Sequence, residues 1–327
     1  MLGGKPFHKN RAKLDKKKIK PKKYFSGLAD GSDLQPNLCN FVVLNHRMKI
    51  GENMTPIRID LNDYFHSGEG SNGESFYHKA DPAVMMKLYF ASAPYEIIEN
   101  ELVLAQKVYD LGLPTPKPGD FITDGNGRYG IRFQRIVGKK SFARAIGEEP
   151  HRVETYARDF AQMCLELHST HVGKTQFPNM KEVNLEMLEN NPYFNDDERK
   201  WVKDFMATIP DTDTALHGDL HFGNAIMAND GKYFIDLGDF AYGHPYFDLG
   251  QVLLTCCYDD EDFVCENFHM ALATANEFWK YFVKEYFGEN ANLEEVTAMI
   301  RPYSGLKTLL IERNAGVHMP QFHVLLR

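Results

Sequence analysis

Apolar residues along this chain keep two different periods, and the change between them falls near residue 140. From Thr55 onward they come in short runs: Ile57 and Ile59, then a glycine-rich stretch, then Phe76-Tyr77, then Val84 to Tyr89. Short apolar runs bounded by Gly, Pro, Asn and Asp predict strands, and Ala80-Asp81-Pro82 predicts a hairpin turn. Residues 93–111 predict a helix with Pro94 near its start and Gly112 as its C-terminal cap. Leu113-Pro114-Thr115-Pro116 cannot continue it, because a residue before proline is pushed out of the α region. Strands follow at 119–123 and 129–137, joined by the turn Asp124-Gly125-Asn126-Gly127 and closed by Gly138.

Beyond residue 140 the spacing lengthens. Val153, Tyr156, Ala157, Phe160, Met163, Cys164 and Leu167 recur at three and four, which predicts an amphipathic helix over 151–170. Helices are also predicted at 197–209, 246–257, 262–286 and 292–312, with short strands at 214–216, 225–228 and 232–236. No internal repeat is visible. The implied fold class is α+β: a small β-rich lobe over 54–137 and a larger helical lobe over 138–327.

Composition narrows this only slightly. A chain of 327 residues, 43% hydrophobic and 25% charged, suits two lobes around one cleft. No run of 18 apolar residues occurs, and no apolar stretch follows the N-terminal lysines as a secretory signal requires. Five cysteines at irregular spacing (39, 164, 256, 257, 265) predict buried, reduced thiols in a cytoplasmic protein. The net charge of −8 is unevenly spread. Residues 1–53 carry twelve Lys/Arg against four Asp/Glu, a balance of +8, which leaves −16 for the remainder. So acidic a body argues against nucleic acid as substrate and favours a cationic ligand. The basic segment 1–53 has few apolar residues to bury and reads as a solvated extension. Binding of nucleic acid or anionic lipid is its alternative, and Met54 as the initiator is another.

Three motifs carry chemistry. Gly68-Glu69-Gly70-Ser71-Asn72-Gly73 is a full G-x-G-x-x-G between two strand candidates. Followed by a strand rather than a helix, it suits a flap whose bare backbone N–H groups, at Gly68, Gly70, Ser71 and Gly73, approach nucleotide phosphates. A plain flexible hairpin tip is the other reading. Lys87 lies inside an apolar strand, where an unpaired ammonium is costly. Glu101, on the helical stripe of Ile97, Leu104, Ala105 and Val108, is the expected partner, while Glu96 and Glu99 read as solvated.

The most specific motif is His217-Gly218-Asp219-Leu220-His221-Phe222-Gly223-Asn224, followed by Phe234-Ile235-Asp236-Leu237-Gly238. A kinase catalytic loop reads H-x-D-x-x-x-x-N, with a metal-binding aspartate on a strand soon afterwards. The Ala228-Asn229-Asp230-Gly231 turn would bring Asn224 and Asp236 to one end of a hairpin, where both could reach Mg²⁺ through oxygen. His217 and His221 have the spacing of helical zinc ligands, but Gly218 and Gly223 disfavour a helix there. Structural hydrogen bonding suits both histidines better.

With HGDLHFGN at 217–224, IDLGDFAYGHPYFDLG at 235–250 and LGLPTPKP at 111–118, segment 54–250 resembles the aminoglycoside phosphotransferase/choline kinase family. The resemblance implies a protein-kinase-like two-lobe fold and ATP and Mg²⁺ as cofactors. It implies Asp219 as catalytic base, Asn224 and Asp236 as metal ligands, and Asp248 as support of the catalytic loop. It also implies a hinge near Gln134 to Ile136 that holds adenine through the backbone. Residues 1–53 match nothing in that pattern.

The acceptor class follows from the residues themselves. Gly218 precedes Asp219 where protein kinases commonly carry arginine, no A-P-E occurs, and only 11 residues separate Asp236 from Asp248. That leaves little room for a peptide platform. The expected activity is phosphoryl transfer to a small-molecule hydroxyl, on an amino-sugar, a choline-like amino alcohol or a sugar. A catalytically silent nucleotide-binding module and a protein kinase are the alternatives.

Overall fold

The computed structural model describes residues 54–70, 72–316 and 318–326. The basic extension, Cys39 and Ser71 of the flap therefore lie outside the described residues.

The first elements are β1 (Ile57–Arg58), β2 (Tyr64–Glu69), β3 (Gly73–His78), β4 (Val84–Tyr89), α1 (Tyr95–Asp110), β5 (Pro118–Thr123) and β6 (Tyr129–Gln134). Their strands form one sheet in the order β1-β5-β6-β4-β3-β2. β1 runs parallel to β5 and the other pairs are antiparallel. The sheet is apolar on both faces. Met86 and Leu88 pack with Phe76 and Ile122 on one side, and Tyr89 packs with Ile98 and Leu102 of α1 on the other. Alternation along β4 therefore puts Lys87 on the α1 face. β2 escaped the sequence reading because it is an edge strand with mostly exposed side chains and a bulge between His66 and Gly68. Such a strand has no apolar rhythm to detect.

On α1 two expectations are corrected. The buried stripe runs through Ile98, Leu102, Leu104, Ala105 and Val108 rather than through Ile97. Glu99, read as solvated, is buried and accepts the Met54 backbone N–H at 2.6 Å. The segment before β1 folds over that carboxylate, a long-range contact that helical periodicity cannot register.

The second group comprises β7 (Lys140–Ser141), α2 (Phe142–Glu148), α3 (Val153–His168), α4 (Met180–Glu189), α5 (Asp196–Thr208), β8 (Ala215–Leu216), β9 (Ala225–Met227), β10 (Lys232–Phe234) and β11 (Ala241–Tyr242). It continues with α6 (Tyr246–Leu253), α7 (Glu261–Phe268), α8 (Leu272–Phe287), α9 (Leu293–Ala315) and α10 (Pro320–His323). Phe142, Phe160, Phe222, Phe278 and Phe282 form its aromatic centre. Burying each such ring contributes roughly 1.5–3 kcal/mol. No helix among the described residues is long and apolar enough to cross a membrane.

Three differences from the sequence reading have local causes. The helix expected at 262–286 is two, because His269 takes a left-handed conformation (φ 58°) that ends α7. The helix expected at 246–257 changes after Leu253 into a π turn over Leu254–Tyr258. Of the cysteines, Cys164 and Cys256 are buried, Cys257 is half-buried and Cys265 is exposed, so burial does not hold for all.

Candidate active site

The His217–Asn224 loop begins where β8 ends. The backbone N–H groups of His217 and Gly218 donate to the two oxygens of Asp248, at 2.7 and 2.9 Å. Asp248 sits in the first turn of α6 and is 1% exposed. His168, at the end of α3, brings Nε2 within 3.2 Å of Asp248 and Nδ1 within 2.8 Å of the Tyr286 hydroxyl. His217 is fully buried, and its Nε2 lies 3.0 Å from the Ile235 carbonyl. A carbonyl can only accept, so Nε2 holds the proton and Nδ1 receives the Asp219 N–H at 3.3 Å. Burial pushes the His217 pKa down despite Asp248 and Asp219 nearby, in keeping with a neutral ring. Gly218 has φ +81°, and a Cβ there would overlap the Asp239 carbonyl oxygen.

Asp219 is surrounded by donors. Asn224 Nδ2 reaches Oδ2 at 3.0 Å, while Gln251 Nε2 and Lys307 Nζ reach Oδ1 at 2.8 and 3.1 Å. Lys307 also donates to the Gly218 carbonyl at 3.0 Å, and His221 Nε2 stands 3.6 Å from Oδ2. Burial opposes ionisation of Asp219, but Lys307 and His221, with the Gln251 hydrogen bond, hold its carboxyl well below the usual range.

Asn224 and Asp236 come to one end of the β9–β10 hairpin, where Ala225 pairs with Phe234 and Ile235 N–H donates to the Asn224 carbonyl at 3.0 Å. Asp236 adopts φ 57°, ψ 63°, a left-handed conformation that aspartate tolerates better than most residues. Its side chain is 45% exposed. Lys87 pairs with Asp236 and, at 3.3 Å, with Glu101. Burial would lower the Lys87 pKa, yet the two carboxylates raise it well above its usual value. Lys87, Glu101 and Asp236 thus form one cluster drawn from β4, α1 and the segment after β10.

The glycine motif is a hairpin. Gly68 lies in β2 and Gly73 in β3, Gly70 N–H donates to the Gly73 carbonyl at 2.8 Å, and Ser75 pairs with Lys87 across the sheet. Gln134 ends β6, and Ile136 follows it, buried. The Gln134 N–H donates to Lys117 at 2.8 Å and the Arg135 N–H to Ala83 at 2.7 Å, which ties this segment to the sheet.

Three participants went unread in the sequence: Lys307, Gln251 and His168. Lys307 had a detectable signal. It is the one charge in the run Tyr303-Ser304-Gly305-Leu306-Lys307-Thr308-Leu309-Leu310, the same anomaly that singled out Lys87. Gln251 and His168 belong to no motif and become recognisable only through their carboxylate partners.

Comparison with known proteins fits this geometry. The phosphotransferase enzyme family matches residues 67–282. A search of curated proteins finds no match. Among solved structures, a thermostable mutant of aminoglycoside phosphotransferase APH(4)-Ia, in its apo form, is similar with TM-score 0.53 and 12% identity over 81% of this chain and 94% of that one. A ternary complex of that enzyme with ADP and hygromycin B gives TM-score 0.53 and 12% identity, covering 81% and 93%. A choline/ethanolamine kinase family protein from Mesorhizobium loti gives TM-score 0.48 and 15% identity, covering 80% and 84%. The first two likenesses show the fold: a mixed sheet followed by a helical part, as in kinase-like phosphotransferases.

Proposed function

The chain belongs to the phosphotransferase enzyme family, and from that premise we propose that it moves the γ-phosphoryl group of ATP to a hydroxyl of a small molecule. The observation that carries the reading is the convergence on Asp219 and Asp236. Residues from β4, α1, α6 and α9 and from both sides of the β9–β10 hairpin supply a base, a cation beside it and a lysine–glutamate pair.

In this reading Asp219 accepts the hydrogen bond of the acceptor hydroxyl and orients it for in-line attack. Lys307 and Gln251 hold the carboxylate ionised and fix its rotamer. Lys87, positioned by Glu101, binds phosphate oxygens, and the flap of Gly68, Gly70, Ser71 and Gly73 covers them, the Gly70 N–H leaving the Gly73 carbonyl to do so. Gln134 to Ile136 hold adenine through the backbone, while His217 and Asp248 keep the loop in shape. The donor set fits Mg²⁺: Asn224 and Asp236 offer amide and carboxylate oxygens at one hairpin end, and Asp236 is open enough for an oxygen to face a ligand. When bound there, the ion would neutralise phosphate charge. Most of the acceleration would come from positioning and electrostatics. The division into a nucleotide-binding lobe over 54–137 and an acceptor lobe over 138–327 is part of this proposal.

The face of α9 that carries Lys307 presents Tyr303 and Met299 at successive four-residue steps. Tyr246 packs on both, with its ring centroid 5.5 Å from that of Tyr303 and its hydroxyl 3.5 Å from the Met299 sulfur. Tyr303 itself is buried, and the surface left by Tyr246 and Met299 suits a ring-bearing or alkylammonium alcohol. The test is an ADP-release screen with Mg·ATP over amino-sugars, choline-like alcohols and sugars. We expect turnover with at least one class, and Asp219→Ala to lower kcat by about 10²–10⁴-fold while ATP still binds. Tight Mg·ATP binding with no turnover across the panel would make the chain a nucleotide-binding module instead.

A further inference from the structure

About one and a half turns along α9 beyond Lys307, three residues outside the proposed catalytic machinery converge. The Glu312 carboxylate is fully buried, at 0% exposure. Its Oε1 lies 2.9 Å from His323 Nε2, 3.4 Å from His318 Nδ1 and 2.5 Å from the Met319 backbone N–H. The Met319 N–H and His323 Nε2 fill its two lone pairs, and His318 Nδ1 faces the same oxygen from just beyond hydrogen-bond length. A single cation among Glu312, His318 and His323 would take the place of imidazole protons and bind all three to one centre. The donor atoms of the three residues all lie within 4.8 Å of one another. A tetrahedral zinc ion with bonds of 2.0–2.1 Å sets its ligands about 3.3–3.4 Å apart. The His318–Glu312 pair stands at 3.4 Å, and the His323–Glu312 pair, at 2.9 Å, would open by a few tenths of an ångström on binding.

The surroundings are those of a metal site. His323 directs its other nitrogen, Nδ1, to Glu198 Oε1 at 3.3 Å, the carboxylate–histidine arrangement that orients a metal-bound imidazole. Glu198 is itself fixed, because its other oxygen accepts the Asn195 N–H at 3.1 Å in a capping box at the start of α5. The His318 and His323 rings stand nearly perpendicular with centroids 5.2 Å apart, so both can direct a nitrogen to one point. His318 is 43% exposed, which leaves an entry path and an open coordination position.

We propose that Glu312, His318 and His323 form a divalent transition-metal site of the zinc class, with Glu198 positioning His323. The bound ion would staple the chain end to α9. Phe322 and Leu325 pack with Leu254, and Leu326 packs with Leu306 and Leu309, on the turn of α9 that carries Lys307. A Cβ on Gly305 would strike Leu326, so this approach is close.

The test uses the untagged 327-residue protein and zinc ion without nucleotide, with Cys265→Ser as the background so that this exposed thiol cannot compete for zinc. Calorimetric titration should show one ion per chain, and Tm should rise with zinc concentration. His318→Ala should weaken binding at least about 100-fold, since it removes a direct ligand. The Tm of metal-free His318→Ala should fall only slightly, because the ring is 43% exposed and its neighbours are the Tyr193 and His323 rings. Glu198→Gln should weaken binding by about 10-fold or more while stoichiometry stays at one. Absence of a one-to-one site, or binding unaffected by His318→Ala, would overturn the proposal. Neither result depends on phosphotransfer, so the outcome stands apart from the kinase reading.

Discussion

The loop at 217–224 is held from behind by side chains distant in sequence, whereas the flap at 68–73 is held mainly by backbone bonds, within its own hairpin and from Asn72 and Gly73 to the end of β4. Asp248 receives two backbone N–H groups of the loop, His217 is locked against Ile235, and Lys307 reaches in from α9. The flap has the Gly70–Gly73 turn bond, the Phe90 N–H to the Asn72 carbonyl at 3.0 Å, and a pair of serines, Ser67 and Ser75, 2.9 Å apart at an exposed sheet edge. One element has its geometry imposed by the core and the other keeps the freedom to adapt. That difference matches the tasks proposed for them. A base must stand within a fraction of an ångström of its proton, while a cover over phosphates has to open and close.

The contrast should break first, and most completely, at Asp248. Asp248→Asn keeps size and shape but turns one of two acceptors into a donor. One buried N–H of the loop then loses its partner, and an unmet buried donor costs about 1–3 kcal/mol. We expect kcat to fall at least about 10²-fold from misplacement of Asp219, with a lower Tm. Wild-type turnover in a folded Asp248→Asn enzyme would show that the loop holds its shape without this anchor.

Lys307 tests the same rigidity from the other side. Lys307→Met removes the cation that keeps the Asp219 carboxyl below its ordinary range, so that pKa should rise. The base works when ionised, and the acid limb of kcat/KM should therefore move to higher pH, with activity lost as pH falls through the raised value. We expect kcat near neutrality to drop about 10–10²-fold with KM for ATP unchanged. Lys307→Arg should restore much of the loss. A pH profile that does not move would reduce Lys307 to a packing residue.

The two regions also differ in how far they could be read beforehand. The strands and helices around the cleft were legible because their apolar residues keep a clean period. Asp219, Asn224 and Asp236 were legible because a short loop and a short hairpin fix their spacing. The edge strand β2 was not, because one of its faces meets solvent, and the break at His269 was not, because nothing local forbids helix there. Glu99 was misjudged for a similar reason: its burial comes from a segment 45 residues away. Lys307 shows a limit of reading by motif. It stands 88 residues from Asp219, and only the rule that a lysine in an apolar run needs a partner could have pointed to it.

The smallest effect is expected on the flap, and it sharpens the comparison best. A Cβ at Gly70 would meet only the Gly73 carbonyl oxygen, at 3.8 Å, whereas one at Gly218 would collide with backbone. Gly70→Ala should therefore leave Tm and kcat near wild type. Its influence should fall on nucleotide binding, because a methyl group at the hairpin tip stands between backbone N–H groups and the phosphates they approach. A change of about 0.5–1 kcal/mol, the usual scale for such a backbone substitution, corresponds to a two- to fivefold rise in KM for ATP. Steady-state kinetics at saturating acceptor would resolve it. If Gly70→Ala lowered kcat as severely as a change in the loop, the flap would be part of the rigid machinery, and its apparent freedom would have to end when nucleotide arrives.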